Sequence, residues 1–330
     1  MSALKRHDQS LTDGVERMLV SVVVPCYNEQ ENLDDFFHRL IPVLEGVGLT
    51  WEIVCVNDGS RDDTLAALTA WHGKEPRIKV LGLSRNFGKE CALSAGLSEA
   101  RGDAVVPMDA DLQHPPEVIP DMVAKWREGF DVVYAVRKDR VGQSLLSRLQ
   151  AKAFYWVFDR LCEVPLPREV GDFRLLDRKV LDVINSMPER TRFMKGIFAW
   201  VGFRQTGVPY DQEERHHGET KFSVVALLRF AFDGLVAFSD TPLRIGALIG
   251  AVISAIAFFY IVVRVVRTIL FGIDVPGYES IITIMLFLGG VQLITLGVIG
   301  HYLGRVFNEV KGRPLFIIRD KVGFDDEKSP

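Results

Sequence analysis

Two stretches of the chain carry no charged residue: residues 245–263, 19 positions, and residues 281–300, 20 positions. Coiled as a helix, each is long enough to cross the roughly 30 Å of hydrocarbon in a bilayer. A soluble core helix this apolar would need burial on every side. The pattern therefore predicts two transmembrane helices, at about 245–267 and 281–300. The short link over 264–280 makes them a hairpin that returns the chain to its starting side. That side carries Lys221, Arg229 and Arg244 before the hairpin, and Arg305, Lys311, Arg313, Arg319 and Lys321 after it, which marks it as cytoplasmic. Arg264 and Arg267 lie at the opposite end and read as snorkelling from a tilted first helix. Over 222–238, Phe222, Val225, Phe232 and Leu235 fall near one face, interrupted by Arg229 and Asp233. That spacing fits a helix lying along the membrane surface, and it fits an ordinary amphipathic core helix as well.

Upstream the rhythm changes. Runs rich in β-formers at 20–24, 52–56, 78–83, 104–108 and 131–136 predict strands, and amphipathic spacing at 31–45, 63–72, 90–100 and 117–128 predicts helices between them. This alternation, with near-continuous apolar strands, calls for an α/β fold with a mostly parallel sheet covered on both faces. The expected organisation is a polar N-terminal tail (1–18), an α/β domain (19–220), a juxtamembrane amphipathic helix (221–242), the two transmembrane helices (243–303) and a cytoplasmic C-terminal tail (304–330).

Composition adds exclusions. With 48% hydrophobic and 25% charged residues the chain is neither disordered nor collagen-like, and the two apolar runs account for a mean hydropathy of +0.14. A net charge of -4 leaves no footprint for nucleic acid. Cys26, Cys55, Cys91 and Cys162 form no Cys-x-x-Cys pair, so neither a zinc ribbon nor a disulfide framework is expected, and the domain reads as reduced and cytoplasm-facing. The first 17 residues are polar with no apolar stretch behind them, so no secretory signal peptide is expected.

In a sheet of this kind ligands bind at the carboxyl ends of the strands. The first predicted strand is followed by Pro25-Cys26-Tyr27-Asn28-Glu29, not by a glycine-rich turn, so the dinucleotide fingerprint is absent. The second ends in Asn57-Asp58-Gly59-Ser60, which by itself reads as a turn capping the next helix. The fourth ends in Asp109-Ala110-Asp111-Leu112-Gln113-His114-Pro115-Pro116. Extended spacing directs Asp109 and Asp111 to the same side, where they repel unless a cation or a basic group sits between them. A hard divalent ion, Mg²⁺ or Mn²⁺, held by carboxylate and amide oxygens meets that need in a site shared with phosphates. A turn capped by Asp111 ahead of the Pro-Pro helix start is the other reading. Basic residues surround these ends: Arg85 and Lys89, Arg137 and Arg140, Arg148 and Lys152, Arg174, and Arg215 to Lys221. Together with the acidic pair they fit a multi-phosphate substrate.

These motifs resemble the family 2 glycosyltransferases, and within them the membrane-anchored bacterial enzymes that load a sugar onto polyprenyl phosphate. Bactoprenol glucosyltransferases are the nearer likeness and dolichol-phosphate mannose synthases the more distant. The carriers are Val-Pro-Cys-Tyr-Asn-Glu at 24–29, Val-Asn-Asp-Gly-Ser at 56–60, Ser-Arg-Asn-Phe-Gly-Lys at 84–89, Asp-Ala-Asp-Leu-Gln at 109–113, Gly-Asp-Phe-Arg-Leu at 171–175, Phe-Met-Lys-Gly at 193–196, Gly-Glu-Thr-Lys at 218–221 and the hairpin. The resemblance implies a GT-A catalytic domain in which Pro25, Tyr27, Glu29 and Asp58 hold the uridine of a UDP-sugar. It implies that Asp109, Asp111 and Gln113 hold the metal on the diphosphate. Arg137 and Arg148, with Lys152 as a third contact, would receive the lipid phosphate, and Arg215 and Lys221 would close over the donor. Arg85 and Lys89 join the donor contacts. A homo-oligomer, a tetramer by the same likeness, is implied as well. Gln212-x-x-Arg215 is followed by His216 where processive synthases carry Trp, and two spans are too few for a polymer channel.

The activity expected is therefore transfer of a hexose, glucose foremost, from UDP-sugar to polyprenyl phosphate, with inversion, at the cytoplasmic membrane face. A phosphate monoester loses its second proton near pH 6, so this acceptor needs no general base, and the sequence offers no Ser-His-Asp or Cys-His set. The alternatives are a processive polysaccharide synthase and an inactive sugar-nucleotide-binding scaffold.

Overall fold

The computed structural model describes residues 18–137, 170–190, 192, 194–211, 241–271 and 277–324. Predicted features outside them are the helix at 222–238 and the basic residues Arg140, Arg148, Lys152, Arg215 and Lys221. The described residues fall into two compact units, one holding the sheet together with the segment after Gly312, the other holding two long helices.

The sheet unit runs β1 (Leu19–Cys26), α1 (Leu33–Gly46), β2 (Thr50–Asn57), α2 (Thr64–Lys74), β3 (Ile78–Leu83), α3 (Lys89–Glu99), β4 (Ala104–Pro107), α4 (Ile119–Arg127), β5 (Val132–Arg137), β6 (Val170–Asp177), α5 (Arg178–Ser186), α6 (Met194–Trp200), β7 (Gln205–Tyr210) and, after the long helices, β8 (Ile318–Val322). The order across the sheet is β7-β5-β6-β4-β1-β2-β3-β8. Pairs β1–β2, β1–β4, β2–β3 and β5–β7 are parallel, while β6 runs antiparallel to β4 and β5, and β8 antiparallel to β3. The sheet is thus mixed and mostly parallel, and the five predicted strands and four predicted helices stand within a few residues of their expected places. β6, β7 and β8 were not foreseen.

Sequence explains the layers. Val20, Val22, Val23 and Val24 of β1 and Ile53, Val54, Cys55 and Val56 of β2 are buried, as strands covered on both faces require. In α1 the buried residues Leu33, Phe36, Phe37, Leu40 and Leu44 recur at helical spacing and form the core-facing stripe. Within this core lies one buried charge network: Glu52 accepts from Ser21 Oγ at 2.6 Å and from the Arg101 amide at 2.7 Å, and pairs with Lys79 Nζ at 2.7 Å.

The second unit contains α7 (Thr241–Phe271), 31 residues, and α8 (Tyr278–Lys311), 34 residues. Two spans were expected. Among the described residues one stretch, Phe287–Lys311, is long and apolar enough to cross a membrane, and the apolar stretch Gly246–Tyr260 of α7 is shorter.

Candidate active site

The strand order reverses at β1, which lies between β4 and β2, and ligand crevices in such sheets open at that switch, outside the carboxyl ends. A cavity of about 270 Å³ opens there, and Pro25, Tyr27, Glu29, Asp58, Lys89, Asp109 and Asp111 line it with Cys26, Asn86, Gly88, Ala92 and Ala110.

Each wall is built from short-range chemistry. After β1 the chain turns at Asn28, in the left-handed region at φ 55. The amide of Asn28 donates to Ser60 Oγ at 3.0 Å and the amide of Glu29 to Thr64 Oγ1 at 3.0 Å, which fastens this turn to the start of α2. The Glu29 carboxylate accepts from Asn32 Nδ2 at 2.6 Å. After β2, Asp58 holds the loop that follows β3, its two oxygens accepting the amides of Phe87 at 2.7 Å and Gly88 at 2.9 Å. Burial pushes its carboxyl above the usual range while these amides and the Arg85 charge act against the rise. Gly59 permits the close approach: at φ +61 it takes a left-handed turn, and a Cβ there would lie 2.5 Å from the carbonyl carbon of Arg85.

After β4 come the two carboxylates whose repulsion the sequence posed as a question. A basic group answers for one of them. Lys89, at the first turn of α3, places Nζ 2.6 Å and 2.7 Å from the two oxygens of Asp109 and 3.4 Å from Asp172. Burial opposes its charge, but the two carboxylates outweigh it and hold the ammonium well above the ordinary lysine range. Asp111 Oδ1 accepts the amide of Gln113 at 3.2 Å. Among the described residues no group of three or more His, Cys, Asp and Glu side chains is placed to hold a metal. Asp109 and Asp111, both lining the cavity, offer carboxylate oxygens, which suit Mg²⁺ or Mn²⁺ sharing its coordination with phosphates.

Of the other predicted residues, Arg85 is exposed, with its guanidinium 4.1 Å from the Phe87 ring and donating to the Asn86 carbonyl at 2.9 Å. It does not line the cavity. Arg137 ends β5, opposite Tyr210 of β7. Since β4 and β5 both run antiparallel to β6, Arg137 lies at the same end of the sheet as Asp109. Arg174, grouped with the strand-end bases by sequence, is a core residue, 3% exposed. It donates to the Gly171 carbonyl at 2.6 Å and lies over Phe198 at 4.1 Å, and burial lowers it to about 10.

Three residues to which the sequence assigned no role belong to this site. Asp172 faces Lys89 from β6; its burial raises the carboxyl, but Lys89, Lys195 and Arg174 prevail and hold it below the usual range. Glu90 accepts the amide of Met194 at 3.3 Å, and burial with the Asp172 charge raises it to about 7. His114 stacks on Phe173 with ring centroids 5.0 Å apart, and burial lowers its pKa despite Asp109 and Asp111. Its Nδ1 and Asp172 Oδ1 are buried without a hydrogen-bond partner among the described residues. Asp172 and His114 stand in the Gly171-Asp172-Phe173-Arg174 and Gln113-His114 stretches and Glu90 directly follows Lys89, but nothing in the sequence brought β6 beside β4.

The chain is a glycosyltransferase: it belongs to glycosyltransferase family 2. Residues 21–184 match the family described as Glycosyl transferase family 2. An uncharacterized glycosyltransferase of Synechocystis sp. is 52% identical over 306 residues, 93% of this chain and 96% of that protein. A prophage bactoprenol glucosyl transferase homolog of Escherichia coli (strain K12) is 44% identical over 302 residues, 92% of this chain and 99% of that one. The bactoprenol glucosyl transferase of Shigella phage SfII is 43% identical over 302 residues, 92% and 98%.

Proposed function

We propose that the protein transfers a hexose, glucose by the names of its relatives, from a UDP-sugar to polyprenyl phosphate with inversion, making a lipid-linked sugar at the cytoplasmic membrane face. The observation that carries this reading is the cavity at the switch point. One wall is a loop ordered by Asp58, another bears Asp109 and Asp111, and Lys89 reaches across to Asp109. In a GT-A domain of this kind Pro25, Tyr27, Glu29 and Asp58 would take the uridine, with Lys89 on the phosphates, while Arg85, outside the cavity, would reach them only by leaving Phe87 and the Asn86 carbonyl.

Asp109, Asp111 and Gln113 would hold Mg²⁺ or Mn²⁺, which when bound supplies positive charge to the departing diphosphate. Asp58 fixes the Phe87–Gly88 backbone before the donor arrives. Lys89, released from Asp109, turns its ammonium to the phosphate oxygens and stabilises the charge that develops on UDP. Arg137, with Arg148 and Lys152, would receive the acceptor phosphate, already a dianion at neutral pH. Arg215 and Lys221 would close over the donor. Apolar α7 and α8, as a membrane hairpin, would keep the enzyme where its lipid acceptor resides, in an oligomer.

The test is a panel of radiolabelled nucleotide sugars incubated with membranes carrying the protein and undecaprenyl phosphate. One labelled sugar per lipid is expected from UDP-glucose. A polymer would mean a processive synthase, and purified protein that neither transfers nor hydrolyses any donor would mean a scaffold. Asp111→Asn should abolish transfer, and EDTA should do the same to the wild type; full activity of that variant in EDTA would remove the metal from the mechanism.

A further inference from the structure

The sheet's last strand comes from beyond α8. β8 pairs antiparallel with β3, Leu81 opposite Lys321, Gly82 opposite Asp320 and Leu83 opposite Ile318. One step further, the amide of Ser84 donates to the carbonyl of Ile317 at 2.9 Å. Ser84 opens the loop whose later amides, at Phe87 and Gly88, are held by Asp58. At the loop's other end begins α3, and Lys321 of β8 pairs with Glu99 of that helix at 2.7 Å. The segment leading into β8 is anchored too, since the Arg190 guanidinium donates to the Arg313 carbonyl.

We propose that residues 313–322 are a positioning element of the donor pocket: they hold the start of the Ser84–Gly88 loop, so that Asn86, Gly88 and Lys89 stand in place before the donor binds. This rests on the reading that the cavity takes a UDP-sugar. A loop held at its start by Ile317 and at its end by Asp58 is ordered in advance, and its ordering is not charged against binding. With β8 gone, the Ser84 amide loses its partner and the donor has to order the loop itself.

Gly82 supplies the perturbation. A Cβ there would lie 2.7 Å from Asp320 Oδ2 and 3.1 Å from Asp320 Cβ, so Gly82→Val crowds β8 off the sheet edge, and Asp320→Gly in the same chain removes the obstructing atoms. Full-length protein in detergent is measured by hydrogen exchange and by steady-state kinetics with UDP-sugar. Gly82→Val should speed exchange at residues 84–88 and raise the donor KM roughly tenfold, equivalent to about 1.4 kcal/mol, near the upper net worth of one backbone hydrogen bond. Its kcat at saturating donor should stay at the wild-type value, and Gly82→Val with Asp320→Gly should restore exchange and KM.

Faster exchange with unchanged donor KM overturns the proposal, and so does a fall in kcat at unchanged KM. Should the valine leave exchange unchanged, a chain stopped after Gly312 removes β8 outright. There a wild-type donor KM overturns the proposal, and a raised KM restored by adding the peptide of residues 313–324 supports it. Wild-type protein that binds no UDP-sugar would sink the donor reading alone, because exchange at residues 84–88 still decides whether β8 orders the loop.

Discussion

Glu90 follows Lys89 in the first turn of α3 and accepts the Met194 amide of α6 at 3.3 Å. Asp172, Lys89 and Lys195 are the charged groups that act on it, and burial with the Asp172 charge moves its carboxyl from 4.5 to about 7. The folded state therefore holds this proton more tightly than the unfolded chain does. Below pH 4.5 both states are protonated and nothing is lost. As pH rises toward 7 the unfolded chain ionises first, and stability falls until the folded carboxyl ionises as well. At about 1.4 kcal/mol per pH unit, the gap puts a ceiling of about 3 kcal/mol on the loss at pH 8. Glu90→Gln keeps an acceptor for the Met194 amide and removes the ionisation. Its thermal unfolding in detergent, followed by tryptophan fluorescence from pH 4.5 to 8.5, should match the wild type at the acid end. At the alkaline end it should lie higher by up to roughly 6–12 °C, taking about 2–4 °C per kcal/mol for a domain of this size. A Tm difference that is constant across this range, or largest in acid, would refute the reasoning.

Asp58→Asn keeps one acceptor but turns an NH2 group toward an amide that also donates; losing one charge-assisted bond of about 1.5–3 kcal/mol should raise the donor KM about ten- to hundredfold. An unchanged KM would show that the Phe87–Gly88 amides need no carboxylate. Lys89→Gln frees both oxygens of Asp109, so Mn²⁺ titrated calorimetrically without nucleotide should bind roughly tenfold tighter, by the same arithmetic for one lost competing contact. Weaker Mn²⁺ binding would refute the competition. Arg137→Ala should raise the KM for polyprenyl phosphate about tenfold or more, and the defect should persist at high salt in neutral detergent; a defect that vanishes there means surface attraction only.

The strands and helices of the first half were legible because each is decided locally. Continuous Val and Ile runs make buried parallel strands, and the stripe of α1 repeats at helical spacing. β6, β7 and β8 break those rules for physical reasons. β6 carries Asp172 and Arg174, charged residues whose placement in a strand is made tolerable by Lys89 and Phe198 from elsewhere in the chain. β7 contains Gly207 and Pro209, which an edge strand tolerates and a central one does not. β8 reads Ile-Arg-Asp-Lys-Val, three charges in a row of the kind that protects an exposed edge and hides the strand from an apolar pattern. The site divides in the same way. Asp109 and Asp111 announce themselves because two carboxylates at a strand end demand a counter-charge. Glu90 and His114 owe their altered acidity to burial against elements far away in sequence, which no local pattern reports.

On the proposed reading, the charges at the cavity would favour metal and donor entering together. Asp109 and Asp172 share Lys89, and Asp111 lines the same wall. A diphosphate arriving alone would face these carboxylates, and two like charges about 4 Å apart repel by about 4 kcal/mol at an effective dielectric of about 20. A divalent ion arriving alone would have to displace Lys89 from both oxygens of Asp109. Were the two to arrive as a pair, Asp109 would hold the ion in place of the Lys89 ammonium, and that ammonium would turn to phosphate oxygens in the same cavity. Asp109 and Lys89 would each keep an opposite charge through such an exchange, and Asp172 would be left to Lys195 and Arg174. The affinities for Mn²⁺ and UDP should therefore be coupled, each tightening the other by the same factor, and the coupling should shrink in Lys89→Gln, where the group that changes partners is gone.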